Sequence, residues 1–437
     1  MTGQMHLLSF PEHLEGVHHT LGRNMEAAPN ERFRGSECIA YWQQVARTLE
    51  RGCFDGIFFA DSGAIYDRYK GRADEAIKYG VGWPKHDPMP TLPLMASVTS
   101  HLGFAFTMSI ASNFPYPAMR LISTLDFLSD GRVGWNIVTG NARMEYEAVG
   151  AGEMDHDARY DRADEYMEVC HALWSGIERD AIVMDRKTGI VADPAKVGRI
   201  SFQGRYLSSR GVPLVVPSPQ GRPVLFQAGS SGRGQQFALR HADVIFAIQP
   251  NTAGIKRYVD QIKEAAKAQG RKDPVRVIAG LQVVLGSTEE EANRRHKQML
   301  ERFPLEASLT RLSGSLGIDF SGVDLDTPME EWPTQASQGL MKALAGTVDG
   351  RRRTLRDVAA SWATSIGTPH IIGTPEQVAD QMEAMWRESG CHGFNVRPTI
   401  IPESMEEFVA TVVPLLQDKG VFRREYQGRT FRENLLG

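Results

Sequence analysis

The chain has 437 residues, 42% hydrophobic and 23% charged, with a formal net charge of −4 spread over interspersed charges of both signs. A chain of this length buries a large core, as two or three domains or as one elaborated α/β barrel, and its charge gives no reason to expect a nucleic acid or an anionic membrane as partner. No apolar run approaches the about 18 residues of a membrane span, no basic-then-apolar leader opens MTGQMHLLSFPEH, and Cys38, Cys53, Cys170 and Cys391 lack metal-ligand spacing, which together point to reduced thiols in a cytoplasmic protein.

Met5 to Phe10 is a short apolar run and reads as a first strand; a polar loop with His13, His18 and His19 follows. From Cys38 to Arg51 the pattern turns helical, with Ile39, Trp42, Val45, Ala46 and Leu49 on one face. DGIFFAD supplies strand two, ending at Asp61, and a long polar loop with Tyr66 near its start comes next. Met95 to Thr99 belongs to a helix. LGFAFTMSIAS is strand three, with Thr107 in its second half. A helix around Leu121 to Leu128 ends at Ser129-Asp130-Gly131, and RVGWNIVTG is strand four, holding Asn136. Tyr166, Val169, Cys170, Leu173 and Trp174 recur at helical spacing, in a helix whose front carries His156 and Tyr160, four apart on one face. Residues 176–222 read as irregular, with a hairpin.

Pro217 to Ala247 organises the rest. Val224, Leu225 and Phe226 form a buried strand that stops at Ala228-Gly229-Ser230-Ser231-Gly232; a helix with Phe237, Ala238 and Ala242 on one face follows, and then a strand, Val244 to Ala247. A strand, a turn of small residues and a helix N-terminus present free backbone N–H groups and a positive dipole end to an anion such as phosphate; an ordinary tight βα turn is the other reading. After the helix Ile255 to Gln269, VRVIAGLQVVLG is strand seven. Ser287 to Glu291 reads as a helix start with a capping box, and residues 288–366 break the alternation as a mostly helical insertion. Thr374, Pro375 and Gln377 start another helix, Gly393 to Val396 is strand eight, and a last helix, about Met405 to Asp418, precedes a polar tail. Eight strands alternating with helices predict an α/β fold: one (β/α)8 TIM-barrel domain over residues 1–437, carrying the insertion.

In such a barrel the chemistry sits at the C-terminal strand ends, where Asp61, Thr107, Asn136, Ser230 and Ser231 all fall. That coincidence favours one shared site. Each residue also has a plain structural reading: Asp61 as a turn cap, Thr107 through β propensity, Asn136 as a satisfied core amide, His156 and Tyr160 on a solvated helix face. The early histidines show no clean ligand pattern and HExxH is absent, so no metal is expected. Arg233 spoils a G-x-S-x-G elbow, and neither a Walker A motif nor a G-x-G-x-x-G after strand one occurs.

FDGIFFAD, STLDFLSDGRVGWNIVTG, HDARYDRADEYMEV, PSPQGRPVLFQAGSSGRGQQFALRHADVIF and GTPEQVADQM, in this order, are similar to segments of a known family. The chain resembles the bacterial luciferase-like flavin monooxygenases, in the branch of nitrilotriacetate monooxygenase component A, dibenzothiophene sulfone monooxygenase and long-chain alkane monooxygenase. The resemblance implies an FMN-using barrel enzyme. It carries FMN contacts to Asp61, Thr107, His156, Tyr160 and Ser231, with Ser230 beside Ser231 in the phosphate turn and Asn136 under the flavin. It places Tyr66 and His19 near the reacting end. Two positions depart from relatives: Gly22-Arg23 stands where Trp-Arg is common, and Asn141 stands where the alkane enzyme has a histidine.

The implied function is a two-component monooxygenase. Reduced FMN comes from a separate NAD(P)H:flavin reductase, reacts with O2 to a flavin C4a-(hydro)peroxide, and one oxygen atom passes to a small organic substrate. Asp61 and Asn136 would orient the flavin; Tyr66, His19 and Asn141 are candidates for substrate positioning or proton transfer. Phe10 and Phe114 are candidate pocket walls. A chelate substrate would need converging cations such as Arg68, Arg72 and Arg311; an apolar or heteroaromatic substrate is the preferred expectation. The alternatives are an F420-dependent oxidoreductase on the same barrel and a flavin-binding protein without turnover. The resemblance also implies a homodimer or homotetramer.

Overall fold

The computed structural model describes residues 3–11, 39–140, 143–152, 154–229, 231–330, 332–345, 347–348 and 350–437. Eight parallel strands close into a barrel: β1 (His6–Ser9), β2 (Gly56–Phe59), β3 (Gly103–Ser109), β4 (Val133–Val138), β5 (Val224–Gln227), β6 (Val244–Ala247), β7 (Arg276–Leu285) and β8 (Gly393–Arg397). They pair in chain order, and β8 returns to β1 with Leu8 opposite Asn395. The register of β3 on β4 sets Thr107 beside Asn136.

Side chains alternate along each strand. Leu8, Phe58, Ala105, Phe226, Phe246 and Ile278 point into the barrel and form one apolar cluster. Leu7, Ile57, Phe104, Trp135, Leu225, Ile245, Val277 and Phe394 belong to a second cluster, packed beneath the surrounding helices. Inside the barrel a column of rings runs from Phe431 to Phe226 (centroids 5.9 Å apart), Phe58 (5.5 Å) and Phe10 (5.7 Å), with edge-to-face or stacked geometry throughout.

The base of this column corrects the expectation of a polar tail. After the helix Glu403–Asp418, Val421 and Phe422 are buried, and the short helix Phe431–Leu436 inserts Phe431 among the N-terminal strand ends. A Cβ at Gly103 would overlap the Phe431 ring, so glycine there makes room for the plug. Thr430 and Glu433 form a capping box that fixes the helix start. The charged composition of 423–433 conceals this role, because its arginines are engaged. Arg423 pairs with buried Asp55, which also receives His6 Nδ1 at 2.8 Å. Arg432 and Arg222 both hold Asp243.

Other elements differ from the sequence reading. His370–Gly373 is an additional strand, paired with the far half of ten-residue β7; the overhang of β7 beyond the barrel gives this short segment a partner. The loop after β2 contains a helix, Asp74–Tyr79. The helix placed around Leu121 begins at Pro115, whose fixed φ suits the first turn. Residues 176–222 hold two hairpins, Ile182–Asp185 with Ile190–Ala192 and Ile200–Gln203 with Ser208–Gly211. Between β7 and His370 lie helices Glu289–Arg302, Leu305–Leu316, Gln338–Ala345 and Leu355–Ser365, and a two-residue hairpin. No helix of the described residues is long and apolar enough to cross a membrane.

Candidate active site

A cavity of about 310 Å³ opens at the C-terminal ends of the strands. Asp61, Tyr66, Thr107, Asn136, His156, Tyr160 and Ser231 all line it. Seven expected site residues spread from position 61 to position 231 thus meet in one space. His19, Asn141 and Ser230 lie outside the described residues. Phe10 and Phe58, the upper rings of the barrel column, and Phe246 packed beside both supply apolar surface. Phe114 is not a wall: it is 71% exposed at the N-cap of the helix Pro115–Leu128.

The polar wall is ordered by strand register. Thr107 Oγ1 donates to the Phe59 carbonyl at 2.9 Å and accepts from Asn136 Nδ2 at 2.8 Å. This chain turns the Asn136 amide so that its oxygen is left over. Asn136 is buried, and its Oδ1 has no hydrogen-bond partner among the described residues. Such an acceptor costs about 1–3 kcal/mol unless a bound N–H or O–H satisfies it. Asp61 lies 3.4 Å from Lys85 Nζ, which also donates to Ser62 Oγ at 3.2 Å.

The anion-facing wall is built at the helix Gly232–His241. Ser231 is its N-cap, accepting from Gly234 N at 3.0 Å. The Tyr160 hydroxyl reaches this turn from the helix His156–Trp174, with the Gln227 and Ser231 side chains as its polar neighbours. A Cβ at Gly234 would sit 2.8 Å from that hydroxyl, so the approach requires glycine. Burial raises the Tyr160 pKa, which keeps the hydroxyl protonated and able to donate. His156 lies one turn earlier, its ring 5.3 Å from that of Tyr160, with Nδ1 2.7 Å from Asp157 Oδ1.

The roof comes from beyond β7. Arg311, Gly314 and Ser315, on the helix Leu305–Leu316, face the cavity together with Gln338, Leu340 and Trp362. Tyr66 is pressed against this helix, and a Cβ at Gly314 would overlap its ring. Of the three arginines considered for a chelate, Arg311 lines the cavity, whereas Arg72 is exposed and pairs with Asp74 at 3.3 Å. Sequence reasoning missed Glu145, Arg159, Gln227 and Trp362. Gln227, two residues before the Gly-Ser turn, was reachable from its strand-end position; the others carry no local signal. Among the described residues, no group of three or more His, Cys, Asp or Glu could hold a metal ion.

A closed parallel barrel with a polar, partly unsatisfied cavity at its C-terminal end is the active-site architecture of a barrel enzyme. The luciferase-like monooxygenase family profile matches residues 17–393, and the chain belongs to that family. It is 36% identical to the long-chain alkane monooxygenase of Geobacillus thermodenitrificans (strain NG80-2), over 100% of this chain and 95% of that one. It is 37% identical to the dibenzothiophene-sulfone monooxygenase of Rhodococcus erythropolis (strain XP), over 99% of this chain and 96% of that one. Among solved structures, a riboflavin lyase with modified FMN and substrate riboflavin superposes with a TM-score of 0.90 at 34% identity, over 99% of this chain and 96% of that one.

Proposed function

We propose that the protein is the oxygenating component of a two-component flavin monooxygenase. It takes reduced FMN from a separate NAD(P)H:flavin reductase and transfers one oxygen atom of O2 to a small organic substrate. The observation that carries this reading is the convergence of Asp61, Tyr66, Thr107, Asn136, His156, Tyr160 and Ser231 on one cavity.

The residues present fit FMN. Ser231, the N–H groups of the helix it caps, Tyr160 and His156 offer donors to a phosphate. Asn136 Oδ1 offers an acceptor to a ring N–H, and the Phe10 and Phe246 rings offer apolar surface. Bound there, reduced flavin would supply the electrons that activate O2. The protein's own part is to hold, orient and exclude water. Thr107 fixes the Asn136 amide, Lys85 holds Asp61, and the roof helices cover the strand ends. Tyr66, held against the helix Leu305–Leu316, is the candidate for substrate positioning or proton transfer.

An apolar or heteroaromatic substrate remains the reading for the phenylalanine-rich space. Exposed Leu121, Phe127, Ile182 and Met184 offer apolar surface for a homodimer or homotetramer, which light scattering would check. The test of function is turnover with a flavin reductase, NADH, FMN and labelled O2 on alkanes, aromatic sulfones and aminopolycarboxylates. A product with one labelled oxygen is expected; a flavin-free oxidation, or turnover with F420 in place of FMN, would refute the reading.

A further inference from the structure

Glu145 lies on the short helix Arg143–Ala148, just past the end of β4. It lines the cavity and is 2% exposed. A buried carboxylate ordinarily has its oxygens saturated by donors. Glu145 does not. The Ser109 hydroxyl, at the end of β3, is a neighbour that acts on the carboxyl, but Oε1 has no hydrogen-bond partner among the described residues. Gly63, in the loop that carries Asp61 and Tyr66, lies over it: a Cβ at Gly63 would be 3.2 Å from Glu145 Cγ.

The charged groups that act on Glu145 come from two neighbouring segments: Lys85, from the stretch after the helix Asp74–Tyr79, and Arg159, from the helix His156–Trp174. Lys85 is turned to Asp61 and Ser62, and Arg159 Nη2 donates to the Gln335 carbonyl. Tyr146, next in the chain, is the nearby phenol; its hydroxyl donates to the Thr139 carbonyl at 2.6 Å.

We propose that Glu145 is a ligand-binding residue of this cavity, donating a hydrogen bond from its carboxyl to an acceptor atom of the bound flavin. The proposal rests on the flavin reading above. Burial outweighs Ser109, Lys85 and Arg159 and raises the Glu145 pKa, which favours the protonated form that can donate. Once ionised, the group would offer no proton and would add a negative charge beside an anionic cofactor.

The test is an anaerobic titration of wild type, E145Q and E145L with reduced FMN between about pH 4.5 and about pH 9, a range that starts near the ordinary carboxylate pKa and extends well above it, with melting temperatures of all three. Glutamine keeps a donor and cannot ionise; leucine keeps the bulk alone. At the acid end, E145Q should bind within about threefold of wild type and E145L about tenfold more weakly, the loss of one hydrogen bond. Wild type should weaken relative to E145Q as the pH rises. E145L should melt no lower than wild type, since it removes a buried polar atom that lacks a partner. E145L binding as wild type does, or wild type and E145Q sharing one pH profile, would overturn the proposal while leaving the flavin reading intact. Failure of the wild type itself to bind reduced FMN would overturn both.

Discussion

The two ends of the barrel are built on opposite principles. At the N-terminal end every charge named is answered: Asp55 by Arg423 and His6, Asp243 by Arg222, Arg432 and the Leu225 amide. Phe431 fills the space between them. At the C-terminal end, Asn136 Oδ1, Glu145 Oε1 and Arg159 Nε are buried without a hydrogen-bond partner among the described residues, around a cavity of about 310 Å³. One end is finished as folded. The other is finished by what it binds. Removing an ion-pair partner at the first should therefore cost stability, and removing an unsatisfied polar group at the second should chiefly cost affinity.

The largest effect is expected at the plug. Arg423→Met leaves Asp55 fully buried with His6 and the Leu7 amide but no guanidinium, and should lower stability by about 3–5 kcal/mol. Denaturant unfolding would measure it, and reduced-FMN affinity of the folded fraction should be unchanged.

The second charge cluster makes the same point through pH. The Arg222 and Arg432 guanidinium groups overcome burial and hold the Asp243 pKa down to about 2, from the usual 3.8. Its stabilisation is therefore complete above about pH 4 and is lost as the pH falls toward about 2, amounting to roughly 2–3 kcal/mol. Asp243→Asn should be less stable than wild type at neutral pH and should lose that part of the acid transition in a pH series of unfolding curves.

At the cavity, Gly314→Ala forces a methyl into the Tyr66 ring and should cost about 1–3 kcal/mol as an overpacked site. Tyr66→Ala in the same chain should recover most of it, a coupling that a double-mutant cycle reads directly. Asn136→Leu should weaken reduced-FMN binding about tenfold, because it deletes an acceptor that has no partner among the described residues, and should cost about 1 kcal/mol of stability through the lost Nδ2–Thr107 hydrogen bond. The smallest effect is Ser231→Ala. It removes a helix cap worth about 1 kcal/mol, and it should weaken FMN more than riboflavin, which lacks the phosphate.

Sequence and structure agree where the signal is local. The alternation of apolar runs and helical faces marked all eight barrel strands, because each is buried on both sides and bounded by turns. Asp61, Thr107, Asn136 and Ser231 were legible because a residue at a strand's C-terminal end has its location fixed by the barrel itself. His370–Gly373 was not, since four residues make a strand only against the overhang of β7. Nor was Phe431, one ring in a charged stretch whose arginines turn out to be ion-paired. Glu145, Arg159 and Trp362 reach the cavity from helices, and helical periodicity says which residues share a face without saying what that face meets. The resemblance supplied His156 and Tyr160 as FMN contacts; the geometry behind Tyr160 is the glycine at 234 that lets its hydroxyl reach the turn.

The most direct test of the contrast between the two ends is an anaerobic titration of the wild-type protein with reduced FMN, with F420 as the competing cofactor and thermal melting alongside. Saturable binding of reduced FMN, accompanied by a rise in melting temperature as the cavity's unsatisfied atoms gain partners, is the predicted result. No binding, or a preference for F420, would contradict the account.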